Sequence, residues 1–345
     1  MPLISSLVLG IAILSLPAPS PAAAFVEARV AVQGAELAVT LALPAGARGE
    51  RLPALVLLPG SGPSTRSDSE PLAQPFLRAG FAVLTFDKRG CGDSTGSWLT
   101  SSLDDMAADG RALFDWLAVR ADVEPARVGL VGVSQGGWVA PLVASGRPGV
   151  AFIIALTGGG VSPRVIEWFD YERRLERAGV VGDDLAAARR TIDAYFAYLS
   201  GGAPRSAVTT LLESGKERSW PGDLGIGRVL PSEAQRPAWA WVATFDPEPS
   251  LRSLRSPVLA MIGGRDRDPA MEVKAWQAAL AQNPDPRTEI RVVPGAGHVL
   301  TVGGTHMRGI FNEQALQAMA AWAAGVVRVE GSSAPGSSAN RDGRE

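Results

Sequence analysis

The chain is poor in the residues that build disulfide and metal chemistry. It has one cysteine, Cys91, so no internal disulfide can form. It has two histidines, His298 and His306, which argues against a histidine-rich zinc site and makes each easy to weigh. Charge of one sign is lacking as well. The 33 basic and 35 acidic residues nearly cancel, and no run of Lys or Arg is present to track a nucleic acid or an anionic membrane. Long apolar runs are also missing: nothing after the N-terminal segment approaches the roughly 20 uncharged residues that a membrane span needs. No cofactor or metal requirement is indicated.

The N-terminal segment has a gap of its own, with no Lys or Arg over residues 1–24. An apolar stretch at 3–16 is followed by a Pro-rich break, and Ala22-Ala23-Ala24 before Phe25 fits the small-x-small rule for signal cleavage. Residues 1–24 therefore read as an export signal, which places the protein in the periplasm or outside the cell. The competing readings are a buried N-terminal strand or an uncleaved anchor. No cysteine follows the segment, which excludes a lipoprotein anchor.

What is present is material for a core. An apolar fraction of 46% against 20% charged residues argues for a folded globule rather than disorder. Strands are expected at 25–32 and 35–43, joined at the turn-forming Gln33-Gly34. Continuous apolar runs at 52–58, 81–86, 128–133 and 150–156 read as strands buried on both faces. A helix over 102–120 opens with Ser102 and Asp105 in capping-box spacing, and a short small-residue helix spans 135–145. The alternation predicts an α/β fold with a mostly parallel central sheet flanked by helices.

The rhythm breaks at Gly158-Gly159-Gly160. From 161 to 250 no strong buried strand is expected, only amphipathic helices, one of them capped by Asp183 or Asp184 and ended by Gly201-Gly202. Alternation resumes with a strand at 257–262, a helix at 271–282, a strand at 289–293 and a last helix at 312–327. The core is thus assigned to 25–160 and 251–328, with an insertion at 161–250. Residues 329–345 are Ser/Gly/Ala-rich and aperiodic, and read as a disordered tail.

The chemistry begins at Gly132-Val133-Ser134-Gln135-Gly136. A G-x-S-x-G pattern between a buried strand and a helix is a nucleophile elbow, in which a strained turn exposes the serine hydroxyl. A serine needs a base, and His298 follows the strand ending at Val293. His306, eight residues later in a Gly-rich loop, is the weaker alternative. The histidine in turn needs a carboxylate. Asp266 follows the strand between Ser134 and His298, with Asp268 in reserve; the latter is better explained as a surface partner of Arg265 or Arg267. The order Ser134, Asp266, His298 is the one such a fold uses. Two backbone N–H donors must meet an oxyanion, and Gln135 and Ser61, in Pro59-Gly60-Ser61-Gly62-Pro63, are the candidates.

These residues resemble the α/β-hydrolase superfamily over about 25–328. Leu58-Pro59-Gly60-Ser61-Gly62-Pro63 is similar to the oxyanion segment of exported esterase-like members, with Pro where many have His. Phe86-Asp87-Lys88-Arg89-Gly90-Cys91-Gly92-Asp93-Ser94 resembles the D-x-R-G-x-G-x-S segment of lid-bearing members. Phe245-Asp246-Pro247-Glu248-Pro249 resembles their return from the lid into the sheet. The resemblance implies a helical lid at 161–250 and cofactor-free hydrolysis through an acyl-enzyme, in the manner of esterases or serine aminopeptidase-like enzymes. Within the D-x-R-G segment Cys91 reads as a small apolar filler rather than a reactive thiol, and Asp93 as a residue that holds its loop.

The expected substrate is a small-molecule ester or a short peptide. Lid aromatics, Trp168 and Tyr171 foremost, with Trp220, Trp239 and Trp241, could line an apolar pocket or simply form the lid's core. A peptidase would need a carboxylate for the substrate amine, and Glu167, Asp170 and Glu172 are candidates or merely a solvated helix face. A catalytically silent binding protein is the reading from another class. The export reading carries its own test. Mass spectrometry of the protein recovered from outside the cytoplasm should find Phe25 as the first residue, and a retained Met1 would overturn it.

Overall fold

The central strands are apolar at consecutive positions because helices cover the sheet on both faces. In β3 (Leu52–Leu58), Ala54, Val56 and Leu58 enter one core while Leu55 and Leu57 enter the other. In the computed structural model, which describes residues 24–47, 49–305 and 308–328, the same alternation recurs in the strands beside it. Almost all of the proposed signal, the tail at 329–345 and His306 lie outside the described residues.

Eight strands form one sheet. β1 (Ala24–Val32) and β2 (Ala35–Leu43) are an antiparallel hairpin turning at Gly34, whose positive φ of 74° suits glycine. β3, β4 (Ala82–Phe86), β5 (Val123–Val133), β6 (Ile153–Leu156), β7 (Val258–Gly263) and β8 (Glu289–Val293) run parallel, in the order β1-β2-β4-β3-β5-β6-β7-β8. α1 (Glu70–Arg78) and α13 (Glu313–Arg328) contribute to the core on one face. α2 (Leu103–Ala118), α3 (Gly136–Ser145) and α12 (Pro269–Leu280) contribute to the core on the other. The expected capping box of α2 is present, with Ser102 and Asp105 each accepting the other's backbone N–H.

Between β6 and β7 the chain is helical. α4 (Pro163–Arg177), α5 (Gly182–Leu199) and α6 (Arg205–Ser214) are followed by five short helices: α7 (Trp220–Leu224), α8 (Ile226–Val229), α9 (Arg236–Trp239), α10 (Trp241–Thr244) and α11 (Glu248–Arg252). The block has its own core, with Tyr171, Leu175, Ile192, Phe196 and Trp220 buried together. Two tryptophan pairs dock it on the sheet domain, Trp98 with Trp239 and Trp138 with Trp241, at ring separations of 6.1 and 5.9 Å.

Some sequence expectations need correction. The N-cap of α5 is Val181; Asp183 and Asp184 lie inside its first turn, where their charge faces the positive end of the helix dipole. β5 starts at Val123, ahead of the apolar run at 128–133, and β6 is only the last four residues of the run at 150–156. A small antiparallel ribbon, β9 (Thr301–Thr305) and β10 (Arg308–Phe311), follows His298 where only loop was expected.

One buried ion pair fastens the loop after β4 to the helical layer. Arg89 donates through Nε and Nη2 to the two oxygens of Asp109 on α2, at 2.7 and 2.6 Å, and both residues are buried. Arg89→Met would leave Asp109 without its counter-charge, so we expect a loss of about 3–5 kcal/mol of unfolding free energy in urea titrations. A loss below about 1 kcal/mol would mean that the pair is not holding the loop.

Candidate active site

Ser134 sits between the end of β5 and the start of α3, and the local sequence forces its geometry. Its φ is 53°, a left-handed value that few non-glycine residues adopt. The turn is this tight because glycines flank it. A Cβ on Gly132 would lie 2.0 Å from the Gly136 carbonyl oxygen, and one on Gly136 would lie 2.3 Å from that of Leu58. Ser134 still bonds to the neighbouring strand β6, its N–H donating to Leu156 O at 2.8 Å.

The structure brings Ser134, Asp266 and His298 together across 164 and 32 residues of chain. Ser134 Oγ is 2.9 Å from His298 Nε2. His298 Nδ1 lies 3.1 and 3.0 Å from the two Asp266 oxygens. His298 and Asp266 side chains are nearly inaccessible to solvent. Burial alone would raise the Asp266 carboxyl. The hydrogen bond and charge of His298, the Arg267 backbone N–H and the Arg267 guanidinium outweigh it and hold the group below the usual carboxylate range. Such an arrangement can take a proton from a serine hydroxyl and stabilise the imidazolium that results.

Backbone strain clusters here. Besides Ser134, the positive-φ non-glycine residues among those described are Thr157, Val299 and Leu300. The Val299 N–H donates to Thr157 Oγ1 at 3.2 Å, so the turn after His298 is pinned to the turn after β6. Strained residues persist where the surroundings over-determine them, at about 1–3 kcal/mol each.

Ser61 and Gln135 both line a cavity of ≈ 340 Å3 that also contains Ser134. Among the described residues neither the Ser61 nor the Gln135 backbone N–H has a protein acceptor. Tyr171 lines the cavity too, but Trp168 does not; it stacks on Phe196 in the core of the helical block. Trp239 and Trp241 line the cavity, whereas Trp220 is buried away from it. Of the three acidic residues weighed for a substrate amine, only Glu167 reaches the cavity, and it faces Arg267 at 3.4 Å. Asp170 is held by Arg174 and Glu172 by Arg189.

Asp268 is not a surface ion-pair partner. It caps α12, accepting the Met271 N–H at 2.9 Å. Cys91 is a buried filler, as expected. The loop after β4 is held by Asp87 rather than by Asp93. Asp87 is buried and accepts the N–H groups of Arg66 and Asp93, while Asp93 is exposed and pairs with Arg66. Two further ionisable groups border the site that sequence alone did not single out, Lys88 and Glu272. Each depends on partners distant in the chain, so no local pattern marks it. The one available signal for Lys88 is rarity, since it is one of three lysines in a chain with 33 basic residues.

A family model described as "Alpha/beta hydrolase family" matches residues 55–313. An uncharacterized protein of Mycobacterium tuberculosis is 38% identical over 104 residues, 28% of this chain and 36% of that protein. An uncharacterized protein of Pseudomonas aeruginosa is 32% identical over 108 residues, 31% of this chain and 29% of its own length. The matched stretch thus spans about a third of these relatives. Among solved structures, an esterase of Pyrococcus furiosus aligns with a TM-score of 0.54 at 16% identity, covering 87% of this chain and 90% of its own. A proline iminopeptidase of Mycobacterium smegmatis aligns with a TM-score of 0.56 at 18% identity, covering 88% and 100%. At such identities the likeness is one of fold.

Glu272 links folding stability to pH. It is buried, lines a small recess with Asp266 and His298, and its Oε2 has no hydrogen-bond partner among the described residues. Burial, with the Asp266 charge adding to it, pushes its carboxyl from 4.5 up to about 7, partly offset by the Gly160 and Val161 N–H groups and Arg267. The folded protein therefore keeps a proton that the unfolded chain releases between these values, so stability falls as pH rises through that window, by about 3 kcal/mol. Glu272→Gln should remove most of this fall. Urea unfolding at pH 5 and pH 8 checks it, and an equally steep fall in the variant would overturn the assignment.

Proposed function

Because the chain belongs to the alpha/beta hydrolase family, we propose that it cleaves carboxylic esters through a covalent acyl-enzyme on Ser134. The observation that carries this reading is the unbroken hydrogen-bonded chain from Ser134 Oγ through the His298 ring to Asp266, opening on a cavity with two unpaired backbone donors. Ser134 Oγ attacks the ester carbonyl as His298 Nε2 accepts its proton. Asp266 holds the Nδ1–H tautomer and balances the imidazolium. The oxyanion forms against the N–H groups of Ser61 and Gln135, each worth roughly 3 kcal/mol in the transition state. Collapse expels the alcohol, which takes its proton from His298, and leaves the acyl group on Ser134. Water, deprotonated by the same histidine, then releases the acid and restores the serine.

The substrate side of the proposal follows from the walls. Trp98, Trp138, Trp239, Trp241, Tyr171 and Tyr195 surround the cavity, which suits an apolar or aromatic ester of modest size. Burial and the nearby Glu167 charge raise both tyrosines further above neutrality, so their hydroxyls stay protonated and able to donate. In this reading residues 161–250 serve as a lid over the site, and the enzyme works outside the cytoplasm. A peptidase is less well supported, because Glu167 already faces a guanidinium and the other two carboxylates are engaged elsewhere.

A p-nitrophenyl ester series beside an aminoacyl-anilide panel tests the proposal. The parent should turn over the esters, Asp266→Asn should lower kcat about 10^4-fold, and Ser134→Ala should lose at least as much. Cleavage of anilides alone would replace the esterase reading with a peptidase. Turnover unchanged in Ser134→Ala would overturn both. Inertness of the folded parent to substrates and to a fluorophosphonate probe would leave a binding protein.

A further inference from the structure

Lys88 is a buried ammonium in the wall of the site to which the hydrolytic steps above give no role. Its Nζ donates to Gly60 O at 2.9 Å, to Gly62 O at 3.0 Å and to Gln135 Oε1 at 3.1 Å. Three donors thus meet three acceptors, and the two carbonyls flank Ser61. The third acceptor is the side chain of Gln135, the residue whose backbone N–H is the other unpaired donor.

The direction of the Ser61 N–H follows from the peptide plane. The Gly60 carbonyl and the Ser61 N–H belong to one planar unit, and in a trans peptide they point to opposite sides; no cis bond occurs among the described residues. A cation that fixes the carbonyl on one side therefore fixes the N–H on the other. Gly60 itself lies against the elbow, with an ideal Cβ there only 3.5 Å from Ser134 Cβ. A positive charge on the amide oxygen also polarises the plane and makes its N–H a stronger donor.

We propose that Lys88 is the positioning residue of the oxyanion site, gripping the carbonyls on either side of Ser61 and the Gln135 side chain so that the Ser61 N–H is aimed at, and strengthened for, the charge that develops on the substrate oxygen. This rests on the acyl-enzyme reading given above. The residue type fits the task. A compact ammonium satisfies three converging acceptors, which the planar fork of arginine does not. Burial pushes Lys88 from 10.5 down to about 8, opposed by the proximity of Cys91, so the ammonium is still mostly protonated at neutral pH.

The test compares Lys88→Met, which keeps the stem, and Lys88→Gln, which keeps one amide donor, with the parent and Ser134→Ala on p-nitrophenyl esters. Active sites are titrated with a fluorophosphonate, so that a poorly folded fraction does not count as slow enzyme. Per active site, kcat should fall about 10- to 100-fold in Lys88→Met and less in Lys88→Gln, with KM within about twofold of the parent. Affinity for a trifluoromethyl ketone, whose hemiketal carries the oxyanion, should fall by the same factor as kcat. A role limited to stability would lower the melting temperature and leave both ratios unchanged, which overturns the proposal. Should neither variant fold, the parent's crystal structure with the bound ketone decides. The oxyanion within hydrogen-bond reach of the Ser61 and Gln135 N–H groups, with the Lys88 contacts intact, upholds it; a Ser61 N–H turned away overturns it. Activity retained in Ser134→Ala would instead defeat the acyl-enzyme reading, a result distinguishable from full activity in the Lys88 variants.

Discussion

The site depends on the close approach of three backbones around Ser134. β5 ends and α3 begins within a few residues, and β3 lies against the helix start closely enough that a methyl group on Gly132 or Gly136 would overlap a carbonyl oxygen. That crowding holds Ser134 at its positive φ and turns its hydroxyl out of the sheet. The strained conformation costs about 1–3 kcal/mol in isolation. The Ser134 N–H bond to Leu156 and the buried face of α3 offset it, because neither could be kept if the turn relaxed. The open Gln135 N–H is a consequence of the same turn, since it falls just ahead of the first helical residue. Hydroxyl and donor are therefore placed by one constraint.

A second constraint is electrostatic and belongs to three consecutive residues. Asp87, Lys88 and Arg89 are all buried, and each turns to a different neighbour. Asp87 closes its own loop on the Arg66 and Asp93 N–H groups, Lys88 reaches the loop after β3, and Arg89 reaches Asp109 on α2. Burying an ion costs several kcal/mol unless hydrogen bonds and counter-charges meet it. Here nearly every partner is a group whose position matters to the site or to the helix beside it. The charges thus make the loop arrangement all-or-none: displacing any one element leaves an ion buried without its partners.

Sequence reading reached the sheet because buried strands write themselves as apolar runs, and it could point to Ser134, Asp266 and His298, which the structure brings within hydrogen-bond distance, because each follows a recognisable strand. It missed α1, where Pro75 sits inside the helix and argues locally against one. It missed β9 and β10 because glycines interrupt their pattern. It read Asp268 as a surface ion when the residue caps α12, a role fixed by a helix boundary two residues away from the expected one. Lys88 and Glu272 were illegible for a deeper reason. Their importance comes from groups such as Gly60, Gln135 and Gly160 that only tertiary structure brings near, and a lone charged residue carries no period.

The helical block extends the same interdependence to the walls of the cavity. Its contacts with the sheet domain, Trp98 on Trp239 and Trp138 on Trp241, are made by residues that also wall the cavity. Trp239 adds a hydrogen bond from Nε1 to Leu99 O at 2.9 Å, and Trp138 one to Val161 O at the same distance. Aromatic pairs of this kind contribute about 0.5–1.5 kcal/mol beyond their buried area. Any departure of the block from the sheet must break these contacts and unmake the apolar walls together. The side chains that hold the block in place and those that shape the cavity are thus largely one set.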